Sequence, residues 1–450
     1  MDALIVIFIT GLIGLFAGLQ KKPSTSLIIS LVGLTAAAII QVFNGQYNSI
    51  FGKYQSLSFD ENQINFSLLC IVMTMLILIA GFNQVKKDSK DSAEIMSLFL
   101  FSLCGALCLI GFQDLSMFFL GLEILSIPLY VLAGANQNNK NSIEASIKYF
   151  FTGSFMTCFL IMGIAFVYGA TGKFDLVGIQ EVIAAGQYSK PMLIIGVFFI
   201  VAALLFKVGA VPFHFWAPDV YQGSPDYVTA FMASVVKVAM LYTFYKFLST
   251  IFIDLYSYWS GLIYISIVLS LFIGYLAAIG QTFYKRLIAY SSITHTAFAL
   301  FSLLAIDNES VNDLFIFTVG YGFSVIALVT VSMSTENNKD EISYLKGISR
   351  KYPIIGVVFI FALLSLTGIP PFTGFFGKSL LFYNAFSEFP LLVLFGIIST
   401  AIGGYFYLNM IFISYSPEPN PEQVVKLDSL HYLVLSVCGI SILTGWLFML

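Results

Sequence analysis

Long apolar runs broken by short polar punctuation dominate this chain from end to end. A helix that crosses hydrocarbon needs about 20 apolar residues. Runs of that kind occur at 3–20, 24–43, 64–84, 95–112, 115–134, 145–169, 191–213, 227–250, 257–280, 287–305, 314–334, 353–386, 390–415 and 430–450. The pattern predicts an all-α polytopic membrane protein with about 14 transmembrane helices, forming one integral membrane domain over 1–450. Two windows do not read as plain helices. Window 353–386 is too long, and the window from 191 continues past 213 into WAPDVYQGSP; both carry proline and glycine in mid-course, so the seventh and twelfth spans are expected to be broken. Residues 174–187 and 339–350 have helical apolar spacing but too few residues to span, which suits surface helices or ordinary connectors.

Composition agrees. Of 450 residues 58% are hydrophobic and 10% charged, with mean hydropathy +0.91, which excludes a soluble globular domain. A net charge of −3 supplies neither a basic patch nor an acidic tail, so nucleic-acid recognition is not expected. The five cysteines, Cys70, Cys104, Cys108, Cys158 and Cys438, lie in apolar stretches without CxxC spacing and read as buried small hydrophobes. The opening MDALIVIF lacks a positive segment and reads as the start of a span rather than a cleavable signal.

Basic residues fall unevenly between alternate loops. One set holds Lys21, Lys22, Lys86, Lys87, Lys90, Lys140, Lys148, Lys285, Arg286, Lys339, Lys346, Arg350, Lys351 and Lys426; the other holds only Lys53, Lys173, Lys190 and Lys246. That asymmetry places the first set in the cytoplasm and both termini outside. Lys246, Lys285 and Arg286 read as interfacial anchors, and Glu144 with Lys148, four residues apart, as a surface ion pair. The 46 phenylalanines and 24 tyrosines suit a lipid-facing surface and interface belts.

Four charges sit inside the apolar runs: Glu123, Lys207, Lys237 and Lys378. Each costs ~2.5–3.5 kcal/mol near a bilayer centre on insertion scales, roughly 10 kcal/mol together, unless paired or hydrated. An ion or proton path is the reading such a burden favours. The broken segments, FKVGAVPFHFWAPDVYQGSP and LSLTGIPPFTGFFGKSLLF, each place proline-phenylalanine and glycine beside a lysine. They are five spans apart, an odd number, so they enter from opposite sides; this is the mark of two inverted five-helix repeats, 95–250 and 257–415. Glu123 and His295, in the fifth and tenth spans, pair the same way.

Burial disfavours an ammonium and a nearby carboxylate restores it, so a lysine between those influences can load and release a proton. The expected order is Glu123 close to Lys207 and holding it charged, then Lys237, then His295 as a relay, then Lys378. A structural alternative stays open: Lys207 and Lys378 could cap carbonyls freed by the breaks, and His214, Asp219 and His295 could be architectural.

The string FKVGAVPFHFWAPDVYQGSP, the lysine in ASVVKVAM, KRLIAYSSITH and LTGIPPFTGFFGKSLLF together resemble the proton-translocating antiporter-like membrane subunits of respiratory complex I. Glu123 in GLEILSIPLYVL matches that family's acidic residue in the fifth helix. The resemblance covers roughly 95–415. It is strongest for the N-type branch, because Lys378 stands where the L and M types carry an acidic residue and no long lateral helix follows. It implies that Glu123, Lys207, Lys237 and Lys378 belong to a proton pathway, with His214 and His295 associated. It further implies a chain without its own cofactor, FMN and iron–sulfur clusters being held by partner subunits. The implied partners are other membrane and peripheral subunits of complex I, including other antiporter-like ones, the lipid bilayer and the quinone the complex uses. The implied location is the bacterial inner membrane. A subunit of a multisubunit sodium/proton antiporter shares these motifs and is the main rival. A non-transporting scaffold fits the embedded charges poorly, and no binding signature marks an organic-solute transporter.

Overall fold

The computed structural model describes residues 2–20, 22–44, 56–88, 92–307, 309–334, 340–417 and 428–449. Lys21, Lys53, Lys90, Lys339 and Lys426, which entered the charge reading, lie outside these residues. Nineteen α-helices follow one another: α1 Asp2–Ala17, α2 Pro23–Asn44, α3 Glu61–Asp88, α4 Ser92–Gly111, α5 Leu115–Ala133, α6 Lys140–Thr171, α7 Leu176–Ala184, α8 Lys190–Val208, α9 Trp216–Gly223, α10 Asp226–Phe231, α11 Lys237–Lys246, α12 Tyr256–Ile279, α13 Tyr284–Leu304, α14 Ser310–Met333, α15 Ile348–Lys351, α16 Pro353–Thr367, α17 Thr373–Phe386, α18 Pro390–Ser414 and α19 Ser429–Thr444. Among the described residues extended pairing is limited to three isolated bridges.

Among the described residues twelve helices are long and apolar enough to cross a membrane, with α10 and α11 counted as one continuous span, Asp226–Ile251. Two further apolar helices, α1 and α16, have only 16 and 15 residues. The expected number of about fourteen is met only when these two are added. The reason for α16 is physical: the chain leaves the helix at Gly368 and resumes as α17. The seventh span is interrupted in the same way at Gly209, between α8 and α9. The surface helix expected at 174–187 forms as α7; the 339–350 segment forms a 3-10 turn, Ile342–Leu345, and the short α15.

Lipid-facing and central helices separate by burial. The most apolar window of Asp226–Ile251 is wholly buried in the protein, whereas that of Lys140–Thr171 is only 28% buried, so the former is the axis of the bundle and the latter part of its rim. Helices α3, α4, α8, α13 and α14 pack around that axis. Polar N-caps fix where chains re-enter: Asp114 Oδ1 accepts from Met117 N at 2.7 Å to start α5, and Asp175 Oδ2 from Gly178 N at 2.7 Å to start α7. Left-handed glycines, Gly172 after α6 and Gly209 after α8, end helices where a Cβ would be strained.

Loops expected to share a side do meet. Asp60, Gln113, Val177, Ser249 and Val311 line one cavity, and Gln84, Asn139, Ser224, Lys285 and Asp340 line another. Cys158 corrects one expectation: it is exposed on the lipid-facing flank of α6, while the other four cysteines are buried.

Candidate proton-pathway site

The two helix breaks share a register. In each, a glycine in the left-handed region closes the first half-helix, at φ 71° for Gly209 and 85° for Gly368, and a cis X-Pro bond and a phenylalanine follow, Pro212-Phe213 and Pro371-Phe372. Backbone groups that a continuous helix would have paired find other partners. At the first break Trp216 Nε1 donates to Phe206 O at 3.0 Å, Thr296 Oγ1 to Val208 O at 2.9 Å and Ser266 Oγ to Val211 O at 2.7 Å, while Val211 N donates to Ser270 Oγ at 2.9 Å. At the second, Gly374 N donates to Ser365 Oγ at 3.2 Å. Here Lys378 Nζ supplies the rest, donating to Leu366 O at 2.6 Å and Thr367 O at 3.4 Å. The cap reading of Lys378 is therefore realised in its geometry. Ten residues beyond the glycine the second break carries Lys378 where the first carries Asp219.

Lys207, buried in the last turn of α8, does not cap carbonyls. Its Nζ donates to Ser126 Oγ at 2.8 Å and Tyr130 OH at 3.3 Å on α5, and lies 5.7 Å from the Tyr130 ring centroid. The expected Glu123–Lys207 pair is not made. Glu123 Oε1 instead accepts from Thr157 Oγ1 at 2.8 Å, so its carboxylate turns toward α6. Glu123 and Ser126 are about one turn apart on the same face of α5, but the carboxylate bends toward α6 and the hydroxyl takes the place given to it. His214 also stands apart: it is buried, its Nδ1 has no hydrogen-bond partner among the described residues, and its ring packs on Phe215.

Lys237 lies at the middle of the buried axis, where a π-helical turn, Met232–Val236, feeds into α11. Such turns insert a residue and re-aim the side chains that follow. Its Nζ donates to Ser292 O at 2.8 Å and Ser292 Oγ at 2.5 Å, and faces the Tyr321 ring at 5.9 Å. Tyr321 OH donates to Ser292 Oγ at 3.0 Å, and the Tyr321 ring stacks on His295 at 5.2 Å between centroids. His295 Nδ1 faces Ser291 O at 2.8 Å, and Nε2 faces Leu366 O at 3.2 Å, the carbonyl that Lys378 also holds. Both partners are carbonyls, which only accept. A neutral imidazole carries one N–H and satisfies one of them, whereas the doubly protonated ring satisfies both.

A thread of contacts results, hydrogen-bonded except where the Tyr321 ring stacks on His295. Thr296 Oγ1 bonds both Val208 O, next to Lys207, and Ser292 O at 3.0 Å; from Ser292 the thread passes to Lys237, Tyr321 and His295, and through Leu366 O to Lys378. Of the six residues expected at the site, Lys237, His295 and Lys378 join it, and Lys207 borders it only through the carbonyl of its neighbour Val208, its ammonium facing Ser126 and Tyr130. Glu123 and His214 lie outside it.

Sequence reasoning missed three features. Asp219 receives Arg286 Nη1 on Oδ1 and Lys148 Nζ on Oδ2, both at 2.7 Å, and Lys148 also meets Glu144 at 2.7 Å, so the simple surface pair is part of a network holding α9 to α6 and α13. Asp226 Oδ1 and Lys285 Nζ are 3.1 Å apart and mostly buried, so Lys285 and Arg286 are ion-paired rather than free anchors. Near them Asp340, in the loop outside the spans, accepts from Lys285 N at 2.8 Å, and burial pushes its carboxyl up to about 6. Finally Lys246, read as an anchor, is buried and donates to Phe112 O at 2.5 Å and Ile110 O at 3.4 Å. Its distance from Lys237, nine residues along one apolar run, was a signal available in the sequence.

The family model described as NADH:quinone oxidoreductase/Mrp antiporter, transmembrane, matches residues 113–403. The NADH-quinone oxidoreductase subunit N of Cytophaga hutchinsonii is 35% identical over 424 residues, covering 93% of this chain and 91% of that one. That of Flavobacterium psychrophilum is 33% identical and covers 97% of each. Among solved structures, a chain of respiratory complex I from Thermus thermophilus with bound aureothin superposes with TM-score 0.86 at 26% identity, covering 99% of this chain and 97% of that one. A chain of the Mrp complex from Dietzia sp. shares the fold, with TM-score 0.85 at 16% identity, 99% of this chain and 95% of that one. The chain is a member of the NADH:quinone oxidoreductase/Mrp antiporter family of multi-pass membrane subunits, within its subunit N branch.

Proposed function

We propose that this chain is a proton-translocating membrane subunit of an NADH:quinone oxidoreductase, moving protons along the buried thread while redox chemistry takes place in partner subunits. The observation that carries the reading is the unbroken contact series Lys237, Ser292, Tyr321, His295, Leu366 O and Lys378, in the interior of a membrane bundle. A scaffold would gain from replacing those ammonium groups with apolar side chains. The subunit N relatives support the complex I setting over the sodium/proton antiporter.

In this mechanism the ammonium of Lys237 releases a proton toward Ser292 and the water around it. His295 takes up a proton on whichever ring nitrogen lacks one and returns one toward the Leu366 carbonyl, where Lys378 waits. Carbonyls do not carry protons, so waters complete the transfers and the carbonyls hold the donors in line. Lys207 feeds the thread from the Ser126 and Tyr130 side, and Glu123 sets its charge through the field across α5 rather than by contact. The cytoplasmic side is that of Lys285 and Arg286, with both termini outside, by the positive-inside rule, in a bacterial inner membrane. The two halves, 95–250 and 257–415, would be the inverted repeats.

Two experiments test the reading. Affinity purification in mild detergent is expected to bring down flavin- and iron–sulfur-bearing subunits; their absence, with other antiporter subunits present, overturns the complex I setting. In membranes, Glu123→Gln is expected to lower NADH-driven proton translocation while Thr157→Val, which removes only its hydrogen-bond partner, leaves it near wild type. Equal and full translocation in both variants removes Glu123 from the mechanism.

A further inference from the structure

The thread just described leaves one buried cation unused. Lys246 is 7% exposed, and no carboxylate oxygen lies within 4 Å of it among the described residues; it meets the carbonyls of Phe112 and Ile110 and, at 4.6 Å, the Phe112 ring. It also lines a cavity of about 300 Å³, together with Tyr242, Tyr245, Gln63 and Asp60. That volume exceeds what several waters occupy, and the lining offers them hydroxyl, amide and carboxylate partners. The cavity reaches the surface: Thr250 and Val177 at its mouth are exposed. It lies on the face opposite Lys285 and Arg286, at the far end of the same buried axis that carries Lys237.

We propose that Lys246 and this cavity form the proton-exchange vestibule of the pathway on the face away from Lys285 and Arg286, with Lys246 the last protein group to hold the proton before water. The inference rests on the proton-translocating reading above. Lys237 and Lys246 are nine residues apart, about 14 Å along a helix. That is too far for direct transfer. Thr243 lies between them, its hydroxyl turned to Ala239 O at 2.7 Å and Leu109 O at 3.1 Å, and can orient an intervening water. In the step itself the Lys246 ammonium breaks one N–H bond and gives that proton to cavity water. A proton arriving from the Lys237 side then rebuilds the bond, so charge on the lysine is restored each cycle. Asp60 at the mouth draws the hydrated proton outward. A cap for the end of α4 would need the carbonyl contacts alone; it would need neither a cavity nor a carboxylate facing the lysine across it.

The assembled complex in membrane vesicles decides the matter. In a chain with the exposed Cys158 changed to alanine, Ser249→Cys places a thiol on the cavity wall, where a membrane-impermeant charged methanethiosulfonate can plug it. Labelling is expected from the Lys246 face only and to abolish most NADH-driven proton translocation, with no loss in the parent chain given the same reagent. Lys246→Met is expected to lower translocation with the complex assembled, and Lys246→Arg to restore part of it. Full translocation after complete labelling, verified by mass spectrometry, overturns the proposal, as does labelling from the Arg286 face. If Lys246→Met fails to assemble, the labelling result stands by itself. Lys237→Ala run in parallel separates the two claims: its loss of translocation beside an indifferent labelled cavity refutes the vestibule and leaves the pathway intact.

Discussion

Replacing Lys237 by methionine separates structural from functional value at the centre of the bundle. The side chains are close in length and volume, so the packed axis keeps its shape. Two hydrogen bonds are lost, to Ser292 O and Ser292 Oγ. Neither acceptor is orphaned. Thr296 Oγ1 still donates to Ser292 O at 3.0 Å, and Tyr321 OH still meets Ser292 Oγ at 3.0 Å. Two net hydrogen bonds contribute about 1–3 kcal/mol. Against that stands the cost of holding an ammonium in hydrocarbon, ~2.5–3.5 kcal/mol. The two nearly cancel, and the variant is expected to be as stable as wild type or about 1–2 kcal/mol more so. The assay is thermal unfolding of the purified complex in detergent, followed by exposure of the buried cysteines Cys70 and Cys438 to a thiol-reactive fluorophore. A loss above about 2 kcal/mol would refute the reasoning, because it would make Lys237 a structural element whose ammonium the fold requires.

Other parts of the molecule yield sharper local expectations. A Cβ at Gly377 would stand 2.5 Å from Phe317 Cα, in backbone that cannot step aside, so Gly377→Ala should separate α17 from α14 and cost about 1–3 kcal/mol, read as a lower melting temperature and reduced assembly. The raised Asp340 carboxyl binds a proton in the folded protein between about pH 4 and 6, where the unfolded chain has released it. Stability from this group is present below about pH 4 and lost as pH rises through about 6, so Asp340→Asn should raise the melting temperature at pH 7.5 and barely change it at pH 4.5; an equal effect at both would contradict the assignment. Asp219→Asn removes charge from the network that ties α9 to α6 and α13. Its exposure of 33% and salt screening limit the stability loss to about 1 kcal/mol or less, shrinking further in 0.5 M salt when the melting curves are compared.

Much of this architecture was legible because bilayer thickness leaves few options. Apolar runs fixed the spans, and proline and glycine marked the breaks that Gly209 and Gly368 make. The embedded lysines were visible as insertion costs. What the sequence left hidden were partners. Spacing cannot reveal that Ser126 rather than Glu123 meets Lys207, because the two share a face of α5 and one helical turn shifts a side chain about 5.4 Å along the axis, more than a hydrogen bond can span. Nor does it reveal that Ser292 and Tyr321, ordinary residues in apolar runs, sit between Lys237 and His295. Lys246 was misjudged for a related reason: its place near a span end suits an anchor, and only the packing of Phe112 and Ile110 over it shows that it is enclosed. The single break at Gly368 also hid how short α16 is.

Proton translocation measured per NADH oxidised, in proteoliposomes carrying the complex with Lys237→Met, addresses the central claim most directly. The account predicts a properly assembled complex with a clearly lowered ratio of protons moved to NADH consumed, or with both rates stopped together. An unchanged ratio at an unchanged rate would contradict it.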